Sequence, residues 1–400
     1  MPKHHEPEIN GLSRRPIYMD HHATTPVDKR VLEAMLPYFT EIIGNAASID
    51  HEYGAEANRT VEKARQQIAA LLNAQPDEII FTSGATESDN LAVLGVAEQY
   101  AGRGNHIITC VTEHKAVLDS CQYLEQKGYR VTYLPVDQYG LIDPDDVRRA
   151  ITPQTILISV MAANNEIGTL APLAAIGRIA REHDVLFHTD ATQAATYIPL
   201  DVEALNIDLL SLSAHKMYGP KGIGALYVRK GRPRVRVSAQ MHGGGHERGM
   251  RSGTLNVPGI VGLSKAAELA VKEMKVEAKR VSALRDFLWQ ELKEKLEDVQ
   301  LNGHPTLRLP NNLSVAISGV ESRSLLVQVK HAVSLSVGSA CTTAKVEPSH
   351  VILALGFGEE RAHSSVRFGL GRENKEIDIG FAAKRIINVV RYLRHLNQNK

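Results

Sequence analysis

From about residue 60 to 230, short apolar runs rich in β-branched residues alternate with segments of helical period. The runs are Glu78-Ile79-Ile80-Phe81-Thr82, His106-Ile107-Ile108-Thr109, Val131-Thr132-Tyr133-Leu134, Ile156-Leu157-Ile158-Ser159-Val160, Val185-Leu186-Phe187-His188-Thr189-Asp190 and Leu209-Leu210-Ser211-Leu212-Ser213. The helical segments cover 57–72, 87–100, 143–150 and 173–183. Strands that are nearly continuously apolar are buried on both faces, so the pattern predicts an α/β unit with a mostly parallel sheet. Beyond residue 258 the pattern changes to a long helical stretch charged on one face (258–297), strand-like pieces at 313–317 and 364–368, and a helix over 378–396. That is the signature of a smaller α+β unit. The expected division is a disordered lead-in over 1–15, a large domain over 16–258 and a small domain over 259–400.

Composition narrows the function classes. With 46 basic against 45 acidic residues and a net charge of +1, nothing points to nucleic acid or a membrane surface. No apolar run approaches the roughly 18 residues of a membrane span, and the N-terminus lacks an apolar signal core. The three cysteines, Cys110, Cys121 and Cys341, form neither a disulfide framework nor a metal-ligand spacing. Metal is therefore not expected, and a reducing, cytoplasmic setting is.

The polar residues of interest sit where the predicted strands end. In open α/β sheets, ligands bind beyond the carboxyl ends of the strands. Lys216 follows the strand 209–213 directly, and Asp190 ends the strand before it. A desolvated lysine has a lowered pKa and forms Schiff bases with aldehydes. Pyridoxal phosphate is an aldehyde cofactor that needs such a lysine, and it also needs an acid for its ring nitrogen. The small-residue turn Ser83-Gly84-Ala85-Thr86-Glu87 opens a helix, where free amides and the Thr86 hydroxyl can cradle a phosphate. His114 can stack on the ring, and Asn165 or Gln193 can bond its phenolic oxygen. Ser213 and His215 have the donor chemistry for the phosphate.

With these residues in place, the chain resembles the class V aminotransferase family, and within it the group I cysteine desulfurases. The ordered motifs that carry the resemblance include Tyr18-Met19-Asp20-His21-His22-Ala23-Thr24-Thr25-Pro26, Thr112-Glu113-His114-Lys115, Asn164-Asn165-Glu166-Ile167-Gly168 and Asp190-Ala191-Thr192-Gln193. Ser213-Ala214-His215-Lys216, Gly243-Gly244-Gly245-His246-Glu247-Arg248, Arg251-Ser252-Gly253-Thr254 and Gly338-Ser339-Ala340-Cys341-Thr342 complete the series. The resemblance implies the fold type I of pyridoxal-phosphate-dependent transferases. It implies that Lys216 forms the Schiff base, Asp190 pairs with the ring nitrogen, and His114 stacks on the ring and moves protons. Ala85, Thr86, Asn165, Gln193, Ser213 and His215 are implied to hold the cofactor. Thr254 is implied to reach the phosphate of a neighbouring subunit, and with it a homodimer. Arg367 matches the arginine that binds the substrate carboxylate, with Asn165 beside it; a guanidinium fork suits that task better than an ammonium.

Cys341 sets the expected reaction. It lies among small and polar residues, a setting in which exposure and nucleophilicity explain a cysteine better than burial does. The resemblance implies that L-cysteine joins the cofactor, Lys216 takes its α-proton, and the Cys341 thiolate attacks the substrate sulfur. Alanine leaves, and a persulfide stays on the enzyme for a sulfur-acceptor protein, an iron–sulfur scaffold or another sulfur carrier. Cys110 and Cys121 are expected to be filler. His21-His22 and Ala46-Ala47 depart from the family pattern at positions given no catalytic role. Among rivals, Cys341 argues against an aminotransferase and its long loop against a selenocysteine lyase. The intact Lys216, Asp190 and Arg367 argue against an idle carrier protein. A dehydrogenase would need a Gly-x-Gly-x-x-Gly after its first strand, which is missing.

Overall fold

The chain is described by a computed structural model that covers residues 15–232, 234–337 and 347–398. The lead-in through residue 14 and the Cys341 loop (338–346) lie outside the described residues. Strands are numbered in chain order: β1 (Ile17–Tyr18), β2 (Ile79–Thr82), β3 (His106–Cys110), β4 (Arg130–Leu134), β5 (Thr155–Ser159) and β6 (Leu186–Asp190). They continue as β7 (Leu209–Ser213), β8 (Gly224–Val228), β9 (Val299–Asn302), β10 (Asn312–Ile317), β11 (Val333–Ser334) and β12 (Ser365–Gly369).

Seven of them make one sheet in the order β2-β8-β7-β6-β5-β3-β4. Neighbours from β7 through β4 are parallel, and β8 runs against both β7 and β2. Alternate residues of these strands serve two cores, because side chains point to opposite faces with period two. Ile80, Ile107, Leu157, Leu186, Leu209 and Leu226 pack under the helices Ala85–Gln99 and Lys115–Gln126. Phe81, Ile108, Ile158, Phe187, Leu210 and Tyr227 face the other side, under Glu52–Leu72, Leu173–Glu182 and the start of Val257–Lys295. The fold is therefore α/β with a mostly parallel sheet, as the apolar runs predict.

The helix Val257–Lys295 links the two cores. Its first half, through Ala270, packs on the large sheet, and Leu284, Leu288 and Leu292 enter a second core with Val315, Phe368, Ile379 and Ile386. There β9, β10 and β12 form an antiparallel sheet in the order β12-β10-β9. The N-terminal strand joins this second unit: β1 pairs in parallel with β11, and Met19 is buried in the second core. The segment that follows it then runs back toward the end of β7, where Thr25 N donates to His215 O at 2.9 Å.

Candidate functional site

The carboxyl ends of β6 and β7 lie side by side, since Asp190 is registered against Ser211. Asp190 is buried, and its Oδ1 accepts Thr192 N at 2.9 Å. Its surroundings are polar, and Lys216 is close enough to feel its charge. His188, two residues earlier on the same face of β6, bonds Ser159 Oγ at 2.8 Å and Ser211 Oγ at 3.0 Å. Burial pushes that imidazole down to about 3, so it is neutral. Burial, and then the neighbouring Asp190, pushes the carboxyl of Asp89 well above the usual carboxylate range. Burial does the same to Glu113, whose Oε1 accepts Met161 N at 2.7 Å. Two neutral acids are cheaper in a dry interior than two unpaired anions.

Lys216 stands in the turn Ala214–Lys216 after β7. Its Nζ donates to the backbone oxygens of His22 and Ala23, the second at 2.9 Å. Burial and then the Arg367 charge push its pKa down to about 8, against the opposing pull of Asp190 and Asp20. An amine of that kind is partly unprotonated near neutral pH and available as a nucleophile or base. His215 beside it bonds Thr24 Oγ1 at 3.0 Å through Nδ1 and is pushed down to about 4, by burial first and then by Lys216.

Arg367 comes from the second unit, in the middle of β12, and is only 3% exposed. Nη2 donates to Asp20 Oδ1 at 2.9 Å and Nη1 to Asn165 O at 3.0 Å, while Nε is buried without a partner among the described residues. The N-terminal segment, the loop after β5 that carries Asn165 and the small sheet thus meet on one guanidinium.

A second cluster lies at the start of the helix Ala85–Gln99. Gly84 is its N-cap and no side chain caps it, which leaves helix-end amides free for an anion. Ala85 is half-buried and Thr86 exposed there. The turn is backed closely by β8: a Cβ on Gly224 would come within 2.7 Å of Gly84 Cα. Ser213 Oγ lies 3.8 Å from where a Cβ on Gly84 would stand. His114 is exposed at the N-cap of the helix Lys115–Gln126, and its Nδ1 accepts Ala116 N at 3.2 Å, so Nε2 is the nitrogen left to exchange protons. Thr254 is exposed after the glycine-rich loop, and no described contact ties it to these residues. Cys341 lies outside the described residues.

Reasoning from the sequence passed over two contributors. Asp20 is the ionic partner of Arg367. The pair His21-His22, which the sequence gives no catalytic role, is buried inside the site. His21 Nδ1 donates to Gly369 O at 2.9 Å, and His22 Nδ1 bonds Gln193 Oε1 at 2.9 Å. The available signal is their position: an acid and two histidines one residue ahead of Thr24-Thr25-Pro26.

A desolvated lysine beside a buried acid at neighbouring strand ends is the arrangement that Schiff-base chemistry needs. The class-V aminotransferase family profile matches residues 17–380, and the chain belongs to that family. Among curated relatives, "Cysteine desulfurase IscS" of Anaeromyxobacter dehalogenans (strain 2CP-C) is 57% identical over 382 residues, 96% of this chain and 94% of the relative. The protein of the same name from Rickettsia conorii (strain ATCC VR-613 / Malish 7) is 52% identical over 391 residues, 98% of this chain and 95% of the relative. Among solved structures, a "NIFS-LIKE PROTEIN" superposes with a TM-score of 0.88 at 39% identity, covering 95% of this chain and all 100% of the other. "SspA in complex with cysteine" superposes at 0.79 with 38% identity, over 88% of this chain and 98% of the other.

Proposed function

We propose that the chain is a pyridoxal-phosphate-dependent cysteine desulfurase that converts L-cysteine to L-alanine and keeps the sulfur as a persulfide on Cys341. The observation that carries this reading is the meeting of Lys216, depressed to about 8, with Asp190 on the adjacent strand end and the buried Arg367. The residues fit the cofactor: a buried carboxylate for a ring nitrogen, an uncapped helix start for a phosphate, and a nucleophilic amine between them. Bound there, pyridoxal phosphate supplies an electron sink for the charge left when the substrate Cα loses its proton.

The chain's own groups divide the remaining work. Asp190 holds the proton on the ring nitrogen. Ala85, Thr86, Ser213 and His215 receive the phosphate, and Asn165 and Gln193 orient the ring. Arg367, with Asn165 beside it, takes the substrate carboxylate through its fork. Lys216 removes the α-proton, and His114, with Nε2 free to exchange, moves protons at the open side of the ring. The net change balances: cysteine and the Cys341 thiol become alanine and the Cys341 persulfide. The sulfur then passes to an acceptor protein, an iron–sulfur scaffold or another thiolation carrier.

The chain is proposed to fall into a cofactor-binding unit over 16–258 and a small unit over 259–400 that bears the Cys341 loop. A homodimer is supported by the exposed apolar row Leu36, Phe39, Ile43, Ile49 and Tyr53, an expanse that a lone subunit would leave in water. Thr254 would then serve the partner's phosphate. Cytoplasmic residence is supported by the unpaired Cys110 and Cys121. Among the described residues no helix is long and apolar enough to cross a membrane. An absorption spectrum of the purified protein, before and after L-cysteine, tests the proposal. A colourless protein that takes up no added pyridoxal phosphate would refute it.

A further inference from the structure

Three hydrogen bonds converge on His22, a residue outside the cofactor-binding set drawn from the sequence. Its backbone oxygen accepts from Lys216 Nζ and, at 3.1 Å, from Gln193 Nε2. Its ring Nδ1 bonds Gln193 Oε1 at 2.9 Å. The roles in this clamp follow from chemistry alone. A carbonyl oxygen only accepts, so the group facing His22 O must be the amide nitrogen of Gln193. That places Oε1 against Nδ1, and since Oε1 also only accepts, Nδ1 carries the hydrogen. The imidazole is neutral, pushed down to about 3 by full burial and then by Arg367. Its Nε2 is accordingly a bare acceptor, and it is buried with no partner among the described residues. The ring has no room to turn toward β12: a Cβ on Gly369 would lie 2.9 Å from His22 Cδ2.

We propose that His22 is a positioning residue that locks the side-chain amide of Gln193 in one orientation, so that a single fixed N–H is all that Gln193 presents to the cofactor. This rests on the proposed function, in which Gln193 faces the ring's phenolic oxygen. An untethered glutamine can turn either end of its amide toward that oxygen, and the wrong end places two lone pairs against a negative charge. With both ends held by His22, one hydrogen on Nε2 is spent on His22 O and the other is free. A donor held in place beforehand stabilises charge without having to reorganise.

The test is the pH titration of the visible absorption band of the loaded enzyme. That band reports the proton shared by the phenolic oxygen and the Lys216 nitrogen, and a donor on the oxygen eases its loss. His22→Leu removes the ring's hold on Oε1 and leaves Nε2 held by the backbone oxygen of residue 22 alone, so it should raise the midpoint by up to about one pH unit, the worth of one hydrogen bond. Gln193→Ala should raise it at least as far, and the double variant should go no further than Gln193→Ala, because His22 acts through Gln193. His22→Asn, whose amide nitrogen sits close to Nδ1, should restore the wild-type midpoint. An unmoved midpoint in His22→Leu, additive shifts in the double variant, or a shifted His22→Asn would each overturn the proposal. Should His22→Leu not fold, His22→Gln places its donor at the Nε2 position and should give the raised midpoint; a wild-type midpoint there overturns the proposal too. A wild-type protein that binds no cofactor overturns the proposed function and this inference with it. A yellow, cysteine-consuming wild type whose His22 variants are spectrally normal overturns this inference alone.

Discussion

Replacing Arg367 with lysine keeps the charge and removes the fork. The guanidinium reaches Asp20 Oδ1 and Asn165 O through different nitrogens and has a third, Nε, buried and unpartnered among the described residues. An ammonium is a single point donor that cannot span both partners and also meet a carboxylate with two parallel bonds. Because the site is 3% exposed, water does not make up the loss. Truncating a buried hydrogen-bonded charge pair costs about 2–5 kcal/mol. At about 1.4 kcal/mol per tenfold, the lower figure alone corresponds to roughly a 30-fold rise in the KM for cysteine. Cofactor affinity should hardly change, since Arg367 is assigned to the substrate. The assay is alanine release against cysteine concentration, alongside a cofactor titration followed by absorbance. Unchanged cysteine saturation in Arg367→Lys would place the carboxylate site elsewhere, and equal loss of cofactor binding would show that the variant had damaged the pocket as a whole.

Other consequences can be checked on the same protein. Asp190→Asn should take up cofactor yet turn over about 100- to 1,000-fold more slowly, the usual effect of removing one preorganised charge; unimpaired turnover would mean a different acid serves the ring. In the cofactor-free protein, Lys216 has its pKa lowered from 10.5 to about 8, so below pH 8 the buried ammonium costs stability, on the order of 3 kcal/mol. Between pH 8 and 10.5 the unfolded chain holds the proton that the folded one has lost, and stability rises with pH. Lys216→Met should therefore melt higher than wild type at pH 7, with the gap closing toward pH 10; a constant gap would contradict the depressed amine. Cys110→Ser and Cys121→Ser should stay active, since burial holds both thiols at about 12 and unreactive.

Much of this arrangement is legible in the chain because parallel strands buried on both faces advertise themselves as apolar runs, and the residues that end them stand out as polar. The runs at β3, β5, β6 and β7 are of that kind, β2 is as apolar and as buried although it pairs antiparallel with β8, and Lys216, Asp190 and His114 follow from the strand ends. β8 is not anticipated because Gly224-Ala225-Leu226-Tyr227-Val228 returns antiparallel to β7 with no α-helix between, only the short turn Ala214–Lys216, and the alternating pattern does not foresee such a return. β1 and β11 are two residues each, too short to carry a period, and they pair across more than three hundred residues of sequence. The roles of Asp20 and His22 are invisible for the same reason. Each acts on a partner, Arg367 or Gln193, that only the packing of distant segments brings within reach.

The central claim is that substrate sulfur is transferred to Cys341 as alanine forms. It is tested most directly by the intact mass and peptide map of the loaded enzyme after L-cysteine, compared with Cys341→Ser. The wild type should gain one sulfur atom on the peptide bearing Cys341, with alanine released in step, and Cys341→Ser should show the spectral response to cysteine but neither product. Normal alanine production by Cys341→Ser, or extra sulfur found on Cys110 or Cys121 instead, would contradict the account.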